Sequence, residues 1–158
     1  MTSKLDCNNA LLFKISKFLQ TKLQIVPNNT ARLIALEKKH ESIVQTRKDL
    51  HWLPIEFRMK YKINILTFKC LNNLTPIYLQ ELLHPYGPKR VPRSANKGYL
   101  KENKTRTVEG DRAFCKAAPV LWNKLPEDVR TEDTLHSFKS ALKTFLFQQA
   151  FHRTNNYN

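Results

Sequence analysis

The sequence contains little glycine and no regular cysteine pattern. Only three glycines occur in 158 residues, which argues against glycine-rich phosphate loops and against an all-β fold built on tight turns. The cysteines are widely spaced, and no CxxC pair supplies half of a zinc site, so we expect neither a metal nor a cofactor. Cys7, Cys70 and Cys115 are expected to be buried thiols of a reducing compartment.

Long apolar runs and a signal peptide are also missing. No stretch approaches the roughly 20 apolar residues that span a bilayer. The N-terminal residues 1–20 alternate apolar side chains with lysine and asparagine, which is not the pattern of a secretory signal. These features predict an intracellular protein, of the nucleus or the cytoplasm, without a membrane partner.

No catalytic constellation is visible. A polymerase needs carboxylates around two metal ions, but the two adjacent acidic pairs, Glu127-Asp128 and Glu132-Asp133, stand at predicted helix starts, where acids favour the helix dipole. Neither GxxxxGK[ST] nor GxSxG occurs. Nothing local joins a cysteine to His51 or His136 as a nucleophile and its base. We therefore expect no enzymatic activity.

Charge is strongly one-sided. Lysine and arginine number 27 against 13 acids, which gives a formal net charge of +14. Such an excess favours polyanionic partners, because phosphate contacts release counterions. RNA or DNA is the expected partner, and an ordinary basic surface of solvated lysines is the alternative. An anionic membrane fits less well, because the basic residues do not gather on one face of one helix.

The apolar residues recur at helical spacing, which predicts a mainly α, small helical domain. The first 49 residues predict two or three helices, with the second kinked or interrupted at Pro27 and with Asn28-Asn29-Thr30 offering an N-cap to the stretch 31–36. A central helix begins at Pro54 and ends at Asn72-Asn73. Thr75-Pro76 opens a short helix that continues through Leu82 and Leu83.

The C-terminal part predicts further helices. Asp111 is expected to cap a helix that continues to Trp122 and is bent by Pro119. Leu125-Pro126 marks a turn and a new helix start, and Thr134 or Asp133 caps the last helix. Residues 151–158 are expected to form a disordered, frayed tail. Both tryptophans, Trp52 and Trp122, are expected to be buried at helix boundaries.

Between these helical parts lies the segment 84–106, which we call the basic crossing. Prolines and glycines prevent a helix here, and two short strands, Tyr99-Leu100 and residues 105–108, are one possible hairpin. Tyr86 and Tyr99 offer aromatic faces on which bases stack. A solvated surface loop is the equally weighted alternative. Its basic residues are the predicted nucleic-acid site: Lys89, Arg90, Arg93, Lys97, Lys101, Lys104 and Arg106.

Composition divides the chain into four segments and a tail. Residues 1–49 form a helical segment, 50–83 the central helices, 84–109 the basic loop and 110–150 the C-terminal helices. Residues 50–150 are expected to form one domain.

Several sequence blocks resemble a known family. LHWLP at 50–54, FKCLNNLTPIYLQELLHPY at 68–86, GDRAF at 110–114, AAPVLWNKLP at 117–126 and LHSFKSALKTFLF at 135–147 follow one another in the chain. In this order they resemble the C-terminal, post-polymerase segment of LINE-type (non-LTR) retrotransposon reverse transcriptases. Upstream, SKLD and LQIVPNNTARLI resemble the thumb-like segment of these RNA-directed DNA polymerases. The chain departs from the family at Cys7, at residues 13–16 and at Pro27.

The resemblance implies a module that holds template RNA or target DNA, with a polymerase domain in another chain as a further partner. The polymerase and endonuclease residues of the family do not fall within these 158 positions, so neither activity carries over. The alternative is a non-functional retroelement remnant or a protein-interaction scaffold without a nucleic-acid role.

Overall fold

The computed structural model describes residues 9–36, 41–87, 98–107 and 109–152. The predicted mainly α class is confirmed, and no strand forms within these ranges. The described residues form seven α-helices and, at Asn9–Leu12 and Gly110–Arg112, two 3₁₀ turns. The α-helices are α1 Lys17–Ala35, α2 Ile43–Asp49, α3 Ile55–Leu71, α4 Ile77–Gln80, α5 Phe114–Trp122, α6 Glu127–Arg130 and α7 Leu135–His152.

The chain divides into two compact units. Unit 1 comprises residues 1–59 and 144–158, and unit 2 comprises residues 60–143. Helices α3 and α7 each supply residues to both units. The four segments and single domain that composition indicates stay a prediction.

In unit 1, helix α1 begins after Ser16, whose hydroxyl accepts a hydrogen bond from the Leu19 N–H at 3.5 Å. Its buried face carries Pro27 and Ala31, and the helix packs against α2. The predicted break at Pro27 is wrong, because α1 continues through this residue to Ala35. The predicted cap at residues 28–30 is wrong for the same reason, since these residues lie inside the helix.

Local contacts explain why the helix tolerates this proline. Pro27 cannot donate to the carbonyl of Leu23, but its ring is buried. The Thr30 hydroxyl donates to the Val26 carbonyl at 3.0 Å, and the Gln24 side-chain amide donates to Asn28 Oδ1 at 2.8 Å. Burial and these neighbouring bonds offset part of the cost of the missing backbone bond.

Helix α3 begins as predicted. The Pro54 carbonyl accepts hydrogen bonds from the N–H groups of Phe57 and Arg58, each at 3.0 Å. The N–H of Ile55 donates at 2.7 Å to Oε1 of Gln24, which lies on α1. At the other end Asn73 has a φ of 58°, and the Leu74 N–H bonds back to the Lys69 carbonyl at 2.8 Å. An asparagine in the left-handed region is a common end of a helix.

Unit 1 contains a cluster of aromatic and cationic side chains. Trp52 is only half-buried, so its predicted burial is wrong, and the Arg58 guanidinium lies 5.6 Å from its ring. The rings of His51 and Phe147 stack at 5.6 Å. Phe151 is buried and helical, which corrects the predicted tail at its first residues. Residues 153–158 lie outside the described residues.

Unit 2 packs around Phe138, which is fully buried. Its ring stacks on Phe68 at 4.4 Å and lies 5.7 Å from Trp122. Trp122 is 3% exposed, so its predicted burial is confirmed. Cys70 is a buried thiol as predicted, whereas Cys115 is only half-buried and Cys7 lies outside the described residues.

The helix starts of unit 2 follow the predictions in part. Thr134 accepts a hydrogen bond from the Ser137 N–H at 3.1 Å and so caps α7, and α6 begins directly after Pro126. Helix α4 ends at Gln80, short of the predicted Leu82 and Leu83. The predicted cap at Asp111 is wrong, because this residue lies in a 3₁₀ turn and α5 starts only at Phe114. Its carboxylate accepts a hydrogen bond from the Thr105 hydroxyl instead.

Candidate nucleic-acid interface

The two described ends of the basic crossing pair with each other. The Tyr86 N–H donates to the Tyr99 carbonyl at 2.9 Å, and the Lys101 N–H donates to the His84 carbonyl at 2.8 Å. An isolated antiparallel bridge joins Pro85 to Leu100. The predicted hairpin is therefore wrong. Residues 99–100, its expected first strand, pair with residues 84–86, and residues 105–107 do not form a strand. Val108 lies outside the described residues.

Trp122 and Asn123, at the end of α5, bind the backbone of the same segment. The indole N–H of Trp122 donates to the Gly98 carbonyl at 2.9 Å. The Asn123 side chain accepts from the Leu100 N–H at 2.9 Å and donates to the Leu100 carbonyl at 2.9 Å. Its amide also donates to a Glu102 carboxylate oxygen at 3.2 Å. We call this contact set the α5 clamp.

Three further bonds hold the segment after the α5 clamp. The Asn103 amide donates to the Cys115 carbonyl at 3.2 Å. The Thr105 hydroxyl donates to Asp111, and the Gly110 N–H donates to the Thr107 hydroxyl at 3.0 Å. A Cβ added at Gly110 would lie 3.1 Å from that hydroxyl oxygen, so a glycine allows this close approach. The backbone of residues 98–107 is thus tied to the start and the end of α5.

The predicted basic residues fall into two groups. Lys101, Lys104 and Arg106 lie on the tied segment, and all three side chains are exposed. The other four, Lys89, Arg90, Arg93 and Lys97, lie outside the described residues. The only acid among residues 98–107 is Glu102, and Asn123 holds one of its oxygens. The described part of the crossing therefore presents three cations to solvent.

The two predicted stacking residues differ in how accessible their rings are. Tyr86 is exposed, so its ring is accessible to a base. Tyr99 is half-buried, and the Arg130 guanidinium lies 4.1 Å from its ring centroid, which occupies one face of the ring. The Arg130 Nε and Nη1 atoms are buried and have no hydrogen-bond partner. No local sequence pattern marks Arg130, because it comes from α6, thirty-one positions after Tyr99.

The site combines positive charge, one exposed aromatic ring and a backbone fixed by side chains, a set of groups that can bind phosphates and stack on a base. Within the described ranges, no three His, Cys, Asp or Glu side chains lie together as a metal site would require. No described helix is long and apolar enough to cross a membrane. No protein-family model, curated protein or solved structure matches the chain.

Proposed function

We propose that this protein binds single-stranded RNA or DNA through the basic crossing, as a non-catalytic module. The observation that carries the proposal is the set of three exposed cations, Lys101, Lys104 and Arg106, on a segment held by the α5 clamp and by the three bonds that follow it. The net charge of +14 supports it. The role agrees with the resemblance to the post-polymerase segment of LINE-type reverse transcriptases.

A fixed backbone strengthens such a site. Ordering a flexible loop on binding costs conformational entropy, which reduces affinity. Part of this entropy is already lost in the free protein, because the α5 clamp and the pairing of residues 84–86 with 99–101 order the backbone before the ligand binds. Each lysine or arginine that reaches a phosphate then adds counterion release to the binding free energy.

The contacts on offer favour binding without strong base preference. Phosphate contacts position a nucleic acid but carry no sequence information. Tyr86 supplies an exposed ring, and stacking on a ring tolerates every base. We therefore expect affinity to depend on salt and strand form more than on sequence.

A salt titration with labelled single-stranded RNA tests the proposal. Fluorescence anisotropy gives Kd at several NaCl concentrations. For the triple variant Lys101→Gln, Lys104→Gln, Arg106→Gln we expect weaker binding, and a slope of log K against log salt that is smaller by about 2, because each single-strand phosphate contact contributes about 0.7.

A matched control removes three charges elsewhere. Lys17, Lys139 and Lys143 are exposed on α1 and α7, outside the basic crossing. Their triple change to glutamine lowers the net charge equally, so it should leave most of the slope in place. Equal losses in both variants would show that net charge, rather than the crossing, determines binding. The absence of binding at low salt would reject the proposal.

A protein-interaction scaffold is the second candidate, and one observation favours it. Helix α1 exposes large apolar side chains, including Phe18 and Leu33, and such surfaces mark protein contacts. A polymerase domain in another chain is one partner that this role would allow. A scaffold predicts that neutralising the crossing leaves every interaction unchanged, and so does an inert remnant.

A further inference from the structure

Helix α1 carries apolar side chains on two opposite sides. Pro27 and Ala31 are buried on one side. At about 100° per residue, six exposed apolar residues lie together on the other side, within an arc of about 120°, whereas the exposed Ile34 lies outside this arc. The large exposed fractions of three of them, 66% for Phe18, 76% for Leu33 and 89% for Leu36, show how fully the surface faces solvent. We call the whole set the apolar stripe: Phe18, Leu19, Ile25, Val26, Leu33 and Leu36.

The apolar stripe differs from the isolated hydrophobic residues that protein surfaces ordinarily expose. Single exposed hydrophobic residues are normal, whereas a continuous patch on this scale marks a contact surface. The six side chains follow one another along the whole length of the helix, and Leu36 directly follows its end. Covering them would remove apolar area from water at about 25 cal/mol per Å².

Two polar residues lie within the apolar stripe, and their positions are symmetric. Lys22 and Asn29 occupy the middle of the arc, each about equally far from the centre of the helix segment between Ile25 and Val26. The Lys22 ammonium lies 4.4 Å from the Phe18 ring centroid, so it is already held along the stripe. Residues 9–36 contain no Asp or Glu.

We propose that a second copy of this chain covers the apolar stripe, with the two α1 helices antiparallel about a two-fold axis between Ile25 and Val26. This axis places apolar residues opposite apolar residues and brings Lys22 to the Asn29 side-chain oxygen, which is a suitable acceptor. Phe18 then lies at the level of Leu33 of the second copy and Lys22 at the level of Asn29, while Ile25 and Val26 each lie beside their own counterparts near the axis.

The same axis keeps like charges apart. Lys17 lies on the side of α1 away from the stripe, and Arg32 lies beside its edge at the level of Leu19 of the second copy, so no cation of α1 meets a cation of the second copy. A parallel pair would place Lys22 directly against Lys22, which is unfavourable. A lipid surface fits less well, because Lys22 and Asn29 would enter the apolar layer at the centre of the stripe. An interface in which each cation meets an uncharged residue of the second copy is self-complementary, as a two-fold dimer requires.

The dimer should be weak and should tighten as salt rises. A single helix face buries less than the about 800 Å² per partner of a standard interface. Each copy also carries a net charge of +14, so the two copies repel one another at low salt. Salt screens this repulsion, whereas it weakens phosphate binding. The opposite salt dependences separate this proposal from the proposed nucleic-acid function.

Sedimentation equilibrium of the full chain under reducing conditions tests the proposal, at protein concentrations from about 1 to about 200 μM, the range of weak association. We expect a monomer–dimer equilibrium whose Kd falls as NaCl is raised. Leu33→Lys should raise Kd at least tenfold. The matched control is Ile77→Lys, which replaces an equally exposed apolar residue of unit 2 and should leave Kd unchanged.

Asn29 tests the register. Asn29→Glu places a carboxylate opposite Lys22 of the second copy and should lower Kd several-fold, whereas Asn29→Lys should raise it. Circular dichroism of the dilute monomers shows whether either variant changes the helix itself. A chain that stays monomeric at every concentration and salt level overturns the proposal. So does a dimer that responds equally to Leu33→Lys and Ile77→Lys, or a monomer whose stripe binds only anionic vesicles.

Discussion

At the scale of single residues, the Asn123 side chain takes the place of a neighbouring strand. Its amide group bonds both the N–H and the carbonyl of Leu100, each at 2.9 Å. Asn123→Ala would leave these partly buried backbone groups without partners, so we expect a loss of about 1–3 kcal/mol in the free energy of unfolding. Urea denaturation followed by tryptophan fluorescence measures the loss.

Asn72 supplies the control for this change. Its side chain makes one bond, to the Phe68 carbonyl, and the residue is exposed at the end of α3. Water can replace that bond, so Asn72→Ala should cost under about 1 kcal/mol. Equal losses for the two variants would contradict the role of the α5 clamp.

Trp122 shows what a sequence pattern can and cannot predict at this scale. A tryptophan at the end of an apolar helix predicts a buried ring, and burial is confirmed. The partner of its indole N–H, the Gly98 carbonyl, lies 24 residues earlier in a segment without periodicity. No local rule links the two, because the bond depends on tertiary packing.

Because of Tyr61, the free energy of unfolding should depend on pH in the alkaline range. Burial raises the pKa of its hydroxyl above the ordinary 10.0, because desolvation disfavours the charged phenolate. The folded state then holds the proton more tightly than the unfolded state. Its contribution to stability is present below pH 10 and is lost as the pH rises through the folded-state pKa.

The Tyr61→Phe variant isolates this effect. We expect its free energy of unfolding to decline less steeply above pH 10 than that of the wild type. In ultraviolet titration of the phenolates, the component that the variant lacks should have a midpoint above pH 10. Identical stability curves for the two proteins would show that Tyr61 ionises equally in the folded and unfolded states.

At the scale of helices, Pro27 is the main conflict between local rules and the fold. An interior proline costs about 3 kcal/mol through one lost bond and a ring clash, yet α1 continues past it. Pro27→Ala would restore the bond to the Leu23 carbonyl at the loss of some buried ring surface. We expect a net gain of about 1–2 kcal/mol in stability and increased helical ellipticity.

Pro54, a proline at a helix start, serves as the comparison. Pro54 lies at the beginning of α3, where the missing N–H has no helical partner to lose. Pro54→Ala should therefore give no gain in stability, and the larger freedom of the unfolded chain should make it slightly destabilising. A gain at Pro54 that matches the gain at Pro27 would contradict this explanation.

The predicted and observed helices differ where tertiary contacts overrule local signals. The limits of α3 and the cap of α7 were predictable, because Pro54, Asn73 and Thr134 act through bonds within one turn. Pro27 is tolerated because its ring is buried in unit 1. Asp111 has the residue type of a cap, but Thr105 engages its carboxylate, and α5 starts three residues later.

At the scale of the whole chain, the candidate site could be predicted in composition but not in geometry. The cluster of cations in residues 84–106 is visible as a local charge count. The pairing of residues 84–86 with 99–101 is not, because a short segment with no alternating pattern leaves its register unspecified. Arg130 reaches Tyr99 from a separate helix, and this contact removes one of the two expected stacking surfaces.

The net charge should make the stability of the folded chain depend on salt. With 27 basic and 13 acidic residues, the folded chain repels itself. Raising NaCl from about 0.01 M to about 0.15 M shortens the screening length from about 30 Å to about 8 Å. We expect Tm to rise over this range, while affinity for single-stranded RNA falls, because the same ions compete for the phosphate contacts.

The lysine-to-glutamine variant at positions 17, 139 and 143 provides the control. These exposed lysines contribute to self-repulsion but lie outside the basic crossing. Their neutralisation should raise Tm at low salt and reduce its salt dependence, while the salt slope of RNA binding stays near that of the wild type. Scanning calorimetry and anisotropy on the same samples measure both quantities. If Tm and RNA affinity changed in the same direction with salt, screened self-repulsion would not explain the stability of this chain.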